Sequence, residues 1–285
     1  MMDERRLLSL YGLKYNPFQS GVPVEDLWRP PGADDFFFRV ETLLCDGGFA
    51  LISGENGVGK SKVLQLLSHH LDGLGSEVVV GVMERPQSSL SDWYRELGEL
   101  FGVDLSPSNR YGGFKALRAR WRAHIKSTLF RPVLLLDEAQ EVPSASLTEL
   151  RLLSSASFDS EALISAVLCG DARLPERFRD RELLPLGSRI RTRLALSSLS
   201  SAELRSFLDH ALEAAGAPGL MTEGLKDSAA AHCAGNLRIL TGMCAELLAT
   251  AAAQDRRQLD EQLYLEVFNR SAPGNPGASK GRGRR

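Results

Sequence analysis

The chain of 285 residues is poor in cysteine: Cys45, Cys169, Cys233 and Cys244 are scattered, with no CxxC spacing. Each sits in an apolar stretch where a reduced thiol packs as a small hydrophobe, so structural thiols are expected and a disulfide framework is not. The five histidines, His69, His70, His124, His210 and His232, have no ligand spacing to cysteines or acids, and no zinc site is expected. Long apolar runs are missing as well. Nothing approaches the ~18–20 uninterrupted apolar residues of a membrane span, and the opening MMDERRLLSLYGL has no hydrophobic core of signal-peptide type. A cytoplasmic protein without membrane insertion is the expectation. An excess of one charge is also lacking: a net charge of −2 argues against a constitutively strong nucleic-acid binder.

The exception lies at the end. Residues 271–285, SAPGNPGASKGRGRR, carry Lys280, Arg282, Arg284 and Arg285 and no acid. Glycine, proline and serine cannot form a core there, which predicts a disordered basic tail. Such a tail either adds attraction for phosphates or merely solubilises the chain end.

The body of the chain has the composition of a folded protein. GGFALIS (47–53), EVVVGVM (77–83), RPVLLLDE (131–138), ALISAVLCG (162–170) and TRLALSSL (192–199) read as five strands, several almost wholly apolar. Such strands are expected where helices cover both faces of a parallel sheet. Between them lie helical patterns from Ser61 onward, over 91–102 with Ser91 as N-cap and Gly102 as stop, and over 114–126. After Leu199 strand signals cease. Ser200 and Glu203 form a possible capping box for a helix to about Gly216, and further helices are expected over 222–233, 236–253 and 260–269. The reading is α/β: an N-terminal wrap segment (1–40), a nucleotide-binding domain with a five-stranded parallel sheet (41–199), a small all-helical lid domain (200–270) and the tail (271–285).

Between the first strand and its helix stands Gly54-Glu55-Asn56-Gly57-Val58-Gly59-Lys60-Ser61, which fits G-x-x-x-x-G-K-[ST] without a gap. Glycines let backbone N–H groups approach phosphate oxygens, and the helix N-terminus adds its dipole. Lys60 reaches the β- and γ-phosphates and the Ser61 hydroxyl ligates magnesium. The ligands implied are ATP and Mg2+. Lys62 is a cation in the first turn of a helix, opposed by the dipole. It either becomes favourable beside polyphosphate or points to solvent.

Strand VLLLDE ends in two acids at the sheet edge where ligands bind. Asp137 is placed to hold magnesium and Glu138 to polarise the attacking water. LGSRIRTRLAL sets Arg189, Arg191 and Arg193 just before the fifth strand, where an oligomeric ATPase exposes an arginine to its neighbour's γ-phosphate; surface ion pairing is the alternative. In GNLRIL (235–240), Arg238 in the first turns of a helix either swings onto bound nucleotide or is a plain surface arginine.

Taken together these blocks resemble the AAA-type ATPases of the ExeA-like group. The likeness covers about residues 7–268: YGLKYNPF, GENGVGKS, VLLLDEAQEVPSASLTELRLLSS, the glycine after the fourth strand, LGSRIRTR and GNLRILTGMC. It implies a five-stranded core with a helical lid, ATP with magnesium, and self-assembly into a ring or filament. By position it implies phosphate and magnesium binding by Lys60 and Ser61, magnesium and water acids at Asp137 and Glu138, a second sensor at Arg238 and a finger at Arg189 or Arg191. Three features depart from the group. Ser61-Lys62 replaces two threonines, the region from Trp28 to Phe38 is atypical, and Asp171 stands where a glutamine is common. An acid there repels phosphate unless it holds a water or a neighbouring arginine.

Members of this group divide between type II secretion, with a membrane segment and a cell-wall-binding region after the ATPase, and short soluble forms resembling the TniB, MuB and IstB helpers of DNA transposition. A chain that stops shortly after its lid favours the second expectation: assembly on double-stranded DNA, without strong sequence preference, and recruitment of a transposase. RPQSSLSDW (85–93) and SPSNRYGGFK (106–115) place small polar and basic residues before helices, a geometry suited to phosphate contacts. Arg85, Ser88, Arg110 and Lys115 are the DNA candidates, with Arg118, Arg122 and Lys126 continuing the stripe; the alternative is a solvated helix face. A secretion or envelope ATPase, or a low-turnover nucleotide-gated switch, are the competing expectations.

Overall fold

The computed structural model describes residues 4–85, 89–105 and 109–268. In chain order the elements are α1 (Glu4–Tyr11), α2 (Ala33–Asp46), β1 (Gly48–Gly54), α3 (Lys60–Asp72), β2 (Val80–Met83), α4 (Leu90–Phe101), α5 (Arg110–Thr128), β3 (Val133–Leu136) and α6 (Ser144–Leu153). There follow the two-residue strands β4 (Ser155–Ala156) and β5 (Glu161–Ala162), then β6 (Ser165–Gly170), α7 (Arg173–Arg177), α8 (Leu184–Gly187) and β7 (Ile190–Leu196). Helices α9 (Ser201–Ala214), α10 (Glu223–His232), α11 (Leu237–Ala253) and α12 (Glu261–Phe268) complete it.

Five strands form one parallel sheet in the order β2-β3-β6-β1-β7. Their near-continuous apolar sequences have a physical reason. β3 sends Leu134 and Leu136 into a core with Trp93, Leu97, Leu117 and Trp121, while Val133 and Leu135 join Phe36, Phe37, Val63 and Leu67 on the other face. β1 and β6 divide in the same way, Phe49, Leu51, Ala166 and Leu168 to the first core, Ala50, Ile52, Val167 and Cys169 to the second. Each fully buried aromatic or aliphatic side chain contributes about 1.5–3 kcal/mol. A third core, with Leu204, Leu208, Leu225, Leu240 and Leu247, holds the C-terminal helices together and takes in Leu7, Leu13 and Phe18 from the N-terminal stretch. Within the stretch read as a wrap, α2 starts at Ala33 and lays Phe36, Phe37 and Val40 against the sheet.

Several local expectations need correction. Ser89, not Ser91, caps α4, its side chain accepting from Asp92 N. The fourth-strand pattern begins late, since Glu161 and Ala162 belong to a hairpin with Ser155 and Ala156. Helix α5 begins at Arg110, four residues before the predicted start, because Asn109 caps it by accepting from Gly112 N. Gly112 and Gly113 therefore lie inside the helix, where glycine reads as a breaker; Gly113 earns its place by packing against the Tyr94 ring. The capping box at Ser200 and Glu203 is present, with both reciprocal bonds. No helix among the described residues is long and apolar enough to cross a membrane.

Candidate functional site

The strand order puts three strand ends side by side at the carboxyl edge of the sheet. β6 lies between β1, which runs into the glycine-rich loop, and β3, which runs into the acid pair. This is the edge at which open α/β sheets bind ligands.

Gly57 and Gly59 adopt φ of +88° and +100°, a region that side chains rarely enter, and Gly59 stands at the N-cap of α3. Lys60 is buried, and its Nζ donates to the Glu55 carbonyl at 2.9 Å, folding the side chain back over the loop. Lys62 is tethered to the Ser20 carbonyl at 3.4 Å and to Gln65 Oε1 at 3.1 Å, so it joins the loop helix to the N-terminal stretch. Asn56 through Lys62 line a cavity of about 440 Å³ together with Glu138 and Arg238. Tyr15, Pro17, Phe18, Trp28, Phe207 and Leu237 supply an apolar wall, and Trp28 meets Phe207 edge to face at 5.9 Å. Gly54 and Glu55 are outside this lining, at the start of the loop.

One polar end of backbone N–H groups and lysine, and one apolar end, fit a nucleoside triphosphate. Ser61 lines the cavity and Asp137 follows β3 outside that lining; a hydroxyl and a carboxylate are oxygen donors of the kind a hard cation takes. The Asp137 N–H continues the β2–β3 pairing by donating to the Met83 carbonyl at 3.0 Å, and its Oδ1 accepts from Glu138 N at 2.9 Å. Burial, then the neighbouring Asp137, push the Cys169 thiol well above its usual range, so it stays protonated beneath that carboxylate. Glu138 is exposed and turns into the left-handed region at φ 49°. Its carboxylate accepts from the Gln140 side chain, which in turn accepts from Asp171 N at 3.1 Å.

Asp171 is buried and has found the arginine that its position requires. Arg173 gives it a backbone N–H at 2.9 Å and Nε at 2.8 Å, and also pairs with Glu141 at 2.5 Å. The hydrogen bond from the Arg173 side chain holds the Asp171 carboxyl below the usual carboxylate range.

Asn236 and Arg238 carry the helical bundle onto the loop. Asn236 Oδ1 caps α11 by accepting from Arg238 N and Ile239 N, while its Nδ2 donates to the Asn56 carbonyl at 2.9 Å. Arg238 N also donates to the Gly57 carbonyl at 3.1 Å. A Cβ on Gly57 would collide with the Asn236 amide, a second reason for glycine there.

The finger candidates are differently placed. β7 starts at Ile190, so only Arg189 precedes it; Arg191 and Arg193 are exposed positions of the strand itself. Ile190, Thr192, Leu194 and Leu196 alternate inward, so the strand starts two residues before the expected Thr192. Arg189 pairs with Asp159 at 2.6 Å and donates to the Pro185 carbonyl at 2.6 Å, and Arg191 faces Asp46 at 3.8 Å.

The DNA candidates do not form one free basic stripe. Arg85 is exposed after β2, and Ser88 lies outside the described residues. Arg110 is committed to the buried carboxylate of Glu149, which also accepts from the Tyr94 hydroxyl at 2.5 Å. Lys115 stands 4.4 Å from the Tyr111 ring. Arg118 donates to the Ser155 carbonyl at 2.7 Å and Arg122 grips Glu161 with two nitrogens, so both fasten α5 to the β4–β5 hairpin. Sequence reading missed Gln140 and Asn236. An asparagine directly before an apolar helix was a readable N-cap signal for the second; nothing local marks the first.

Residues 45–178 match the family model described as an AAA domain. The same topology recurs in the Aeropyrum pernix ORC2 protein in its ADPNP–ADP complexes, at a TM-score of 0.69 and 16% identity over 91% of this chain and 72% of that one. The fold is that of the AAA+ P-loop proteins. Further AAA+ neighbours include Drosophila ORC bound to DNA, with TM-score 0.69 and 16% identity over 92% and 65% of the two chains. Domain III of the Thermotoga maritima replication initiation protein DnaA gives a TM-score of 0.57 and 17% identity over 88% and 97%. In sequence, the chain is 29% identical over 210 residues to the general secretion pathway protein A of Aeromonas hydrophila. That match takes in 72% of this chain and 37% of the relative, so the likeness concerns little more than a third of that protein.

Proposed function

We propose that the protein is an ExeA-like ATPase that binds magnesium-ATP at the glycine-rich loop, hydrolyses it, and uses the cycle to assemble on and leave double-stranded DNA as a helper of transposition. The observation that carries the ATPase reading is the meeting of Lys60, Ser61, Glu138 and Arg238 around one cavity. Lys60 exchanges its bond to the Glu55 carbonyl for phosphate oxygens, and the loop N–H groups hold the remainder. Magnesium, held by Ser61 and Asp137, would neutralise charge on the β- and γ-phosphates. Glu138 orients a water and accepts its proton as the water oxygen bonds to the γ-phosphorus and the bond to the β–γ bridging oxygen breaks. Arg238, which lines the same cavity, would act on the phosphate end of the nucleotide, and Asn236 would pass a change in the loop to the helical bundle.

The finer reading places subunits so that Arg189 or Arg191 reaches a neighbour's γ-phosphate, with hydrolysis dissolving that contact. DNA contact then falls to exposed cations such as Arg85 and Lys115, whose phosphate contacts carry no base preference. Neighbours of the same fold include a protein solved on DNA. A second reading has its own support: the relative with 29% identity is a secretion-pathway protein. In that case the same cycle drives an envelope partner. Turnover measured with and without plain duplex DNA separates them. Stimulation that fades with rising salt supports the DNA reading, and turnover indifferent to DNA transfers the weight to secretion.

A further inference from the structure

Gln140 lies in the short turn Ala139–Glu141 after β3 and is 8% exposed. Its side-chain amide spans two partners of opposite kind. Nε2 donates to Glu138 Oε2 and Oε1 accepts from Asp171 N at 3.1 Å. The partners leave no choice of orientation, because a backbone N–H only donates and an ionised carboxylate only accepts. The turn is also clamped from its backbone side: Arg177 donates to the Gln140 carbonyl at 2.5 Å and to the Val142 carbonyl at 2.9 Å. Gly170, the last residue of β6, makes room for the amide, since a Cβ there would collide with Gln140 Oε1 and with Leu174.

Glu138 itself has little else to hold it. It is exposed, sits at φ 49°, and among the described residues Gln140 is the side chain hydrogen-bonded to its carboxylate. A long, exposed carboxylate without such a bond samples several rotamers, whereas a base must meet its water within a few tenths of an ångström. We propose that Gln140 is a positioning residue for hydrolysis, which aims the Glu138 carboxylate and ties that aim to the end of β6. This rests on the reading of Glu138 as the group that polarises water. The tie runs further, because the same Asp171 whose N–H meets Gln140 holds Arg173, and Arg173 bridges back to Glu141 in the Gln140 turn. The turn and the strand end therefore form one closed loop of polar contacts, and a shift of the β6 end shifts the base.

The test compares Gln140→Glu and Gln140→Met with wild type. The glutamate keeps length and acceptor for Asp171 N but faces Glu138 with a second carboxylate; the methionine keeps length and loses both bonds. Measured are kcat and KM for ATP, affinity for a non-hydrolysable ATP analogue, and melting temperature as a check of folding. The expected result is analogue affinity within about 3-fold of wild type and kcat lower by roughly 10–100-fold in both variants. In a Glu138→Gln background, adding Gln140→Met should change the residual rate less than about 2-fold, because a residue that acts through Glu138 has nothing left to aim. Unchanged kcat in a folded variant, a loss confined to KM, or full additivity with Glu138→Gln overturns the proposal. If wild type binds ATP without hydrolysing it, the hydrolysis reading fails and this one with it; if wild type hydrolyses and both variants do so equally, this inference alone fails.

Discussion

The side-chain amide of Asn236, at the N-cap of α11, donates to the backbone carbonyl of Asn56 in the phosphate loop at 2.9 Å, across 180 residues of sequence. One residue thus ends a helix of the bundle and touches the loop that would hold the nucleotide. The two jobs are separable. Asn236→Ser retains a capping oxygen but is too short for the loop, whereas Asn236→Ala loses both. The alanine variant should be about 1 kcal/mol less stable in urea titration, with the serine variant close to wild type. Both should bind a fluorescent ATP analogue several-fold more weakly. Equal analogue affinity in all three would remove Asn236 from the coupling.

Lys60 and Glu138 should give opposite failures. Lys60→Ala removes the buried cation and its charge-assisted bonds, weakening nucleotide binding by roughly 10–100-fold and abolishing nucleotide-dependent assembly. Glu138→Gln should leave binding intact, cut turnover to a small residual rate and trap the assembled form. A Glu138→Gln protein that binds ATP but disassembles at the wild-type rate contradicts the assigned role.

Arg110 and Lys115 were both candidates for DNA, and their surroundings now separate them. Arg110→Ala leaves the buried Glu149 carboxylate without its cation, and because the arginine is itself largely exposed the cost should be moderate, about 1–3 kcal/mol of folding stability. Lys115→Ala should be neutral for stability and lower the salt dependence of DNA binding by about one phosphate contact. Thermal unfolding and filter binding at two salt concentrations on each variant check this; a stable Arg110→Ala protein with reduced salt slope reverses the assignment.

Asp171 predicts a pH effect. Its carboxyl is held below the usual range by Arg173, so the pair's stabilisation is complete above the unfolded-state value of about 4 and is lost as pH falls through the lower folded value. Asp171→Asn removes that dependence. Urea midpoints between pH 3 and 7 should converge for variant and wild type at the acid end and separate above it, and parallel curves would show that the pair adds no linkage.

The sheet was legible because its strands are buried on both faces and so leave uninterrupted apolar runs. β3, which lies between Pro132 and Asp137, is the clearest instance. The loop was legible because phosphate chemistry constrains neighbours in sequence. Boundaries failed where a cap outranked propensity, as at Asn109, or where an edge strand alternated, as at Ile190. The contacts that complete the site join distant segments: Gln140 meets Asp171 N because β3 and β6 are neighbours in the sheet, and Asn236 meets Asn56 because the C-terminal helices pack onto the loop. Likewise the sequence does not show that two cations of the basic face of α5 serve the β4–β5 hairpin, Arg118 through the Ser155 carbonyl and Arg122 through Glu161, while Lys115 and Lys126 stay exposed.

The most direct measurement is sedimentation of the purified protein with magnesium and ATP, ADP or no nucleotide, with and without plain duplex DNA, at low and moderate salt, with phosphate release followed in parallel. ATP-dependent co-sedimentation with DNA that weakens as salt rises, and that persists in the Glu138→Gln protein after the wild type has consumed its ATP and dispersed, is the predicted result. Assembly and turnover indifferent to DNA would contradict the DNA-helper reading, and absence of ATP binding would contradict the site itself.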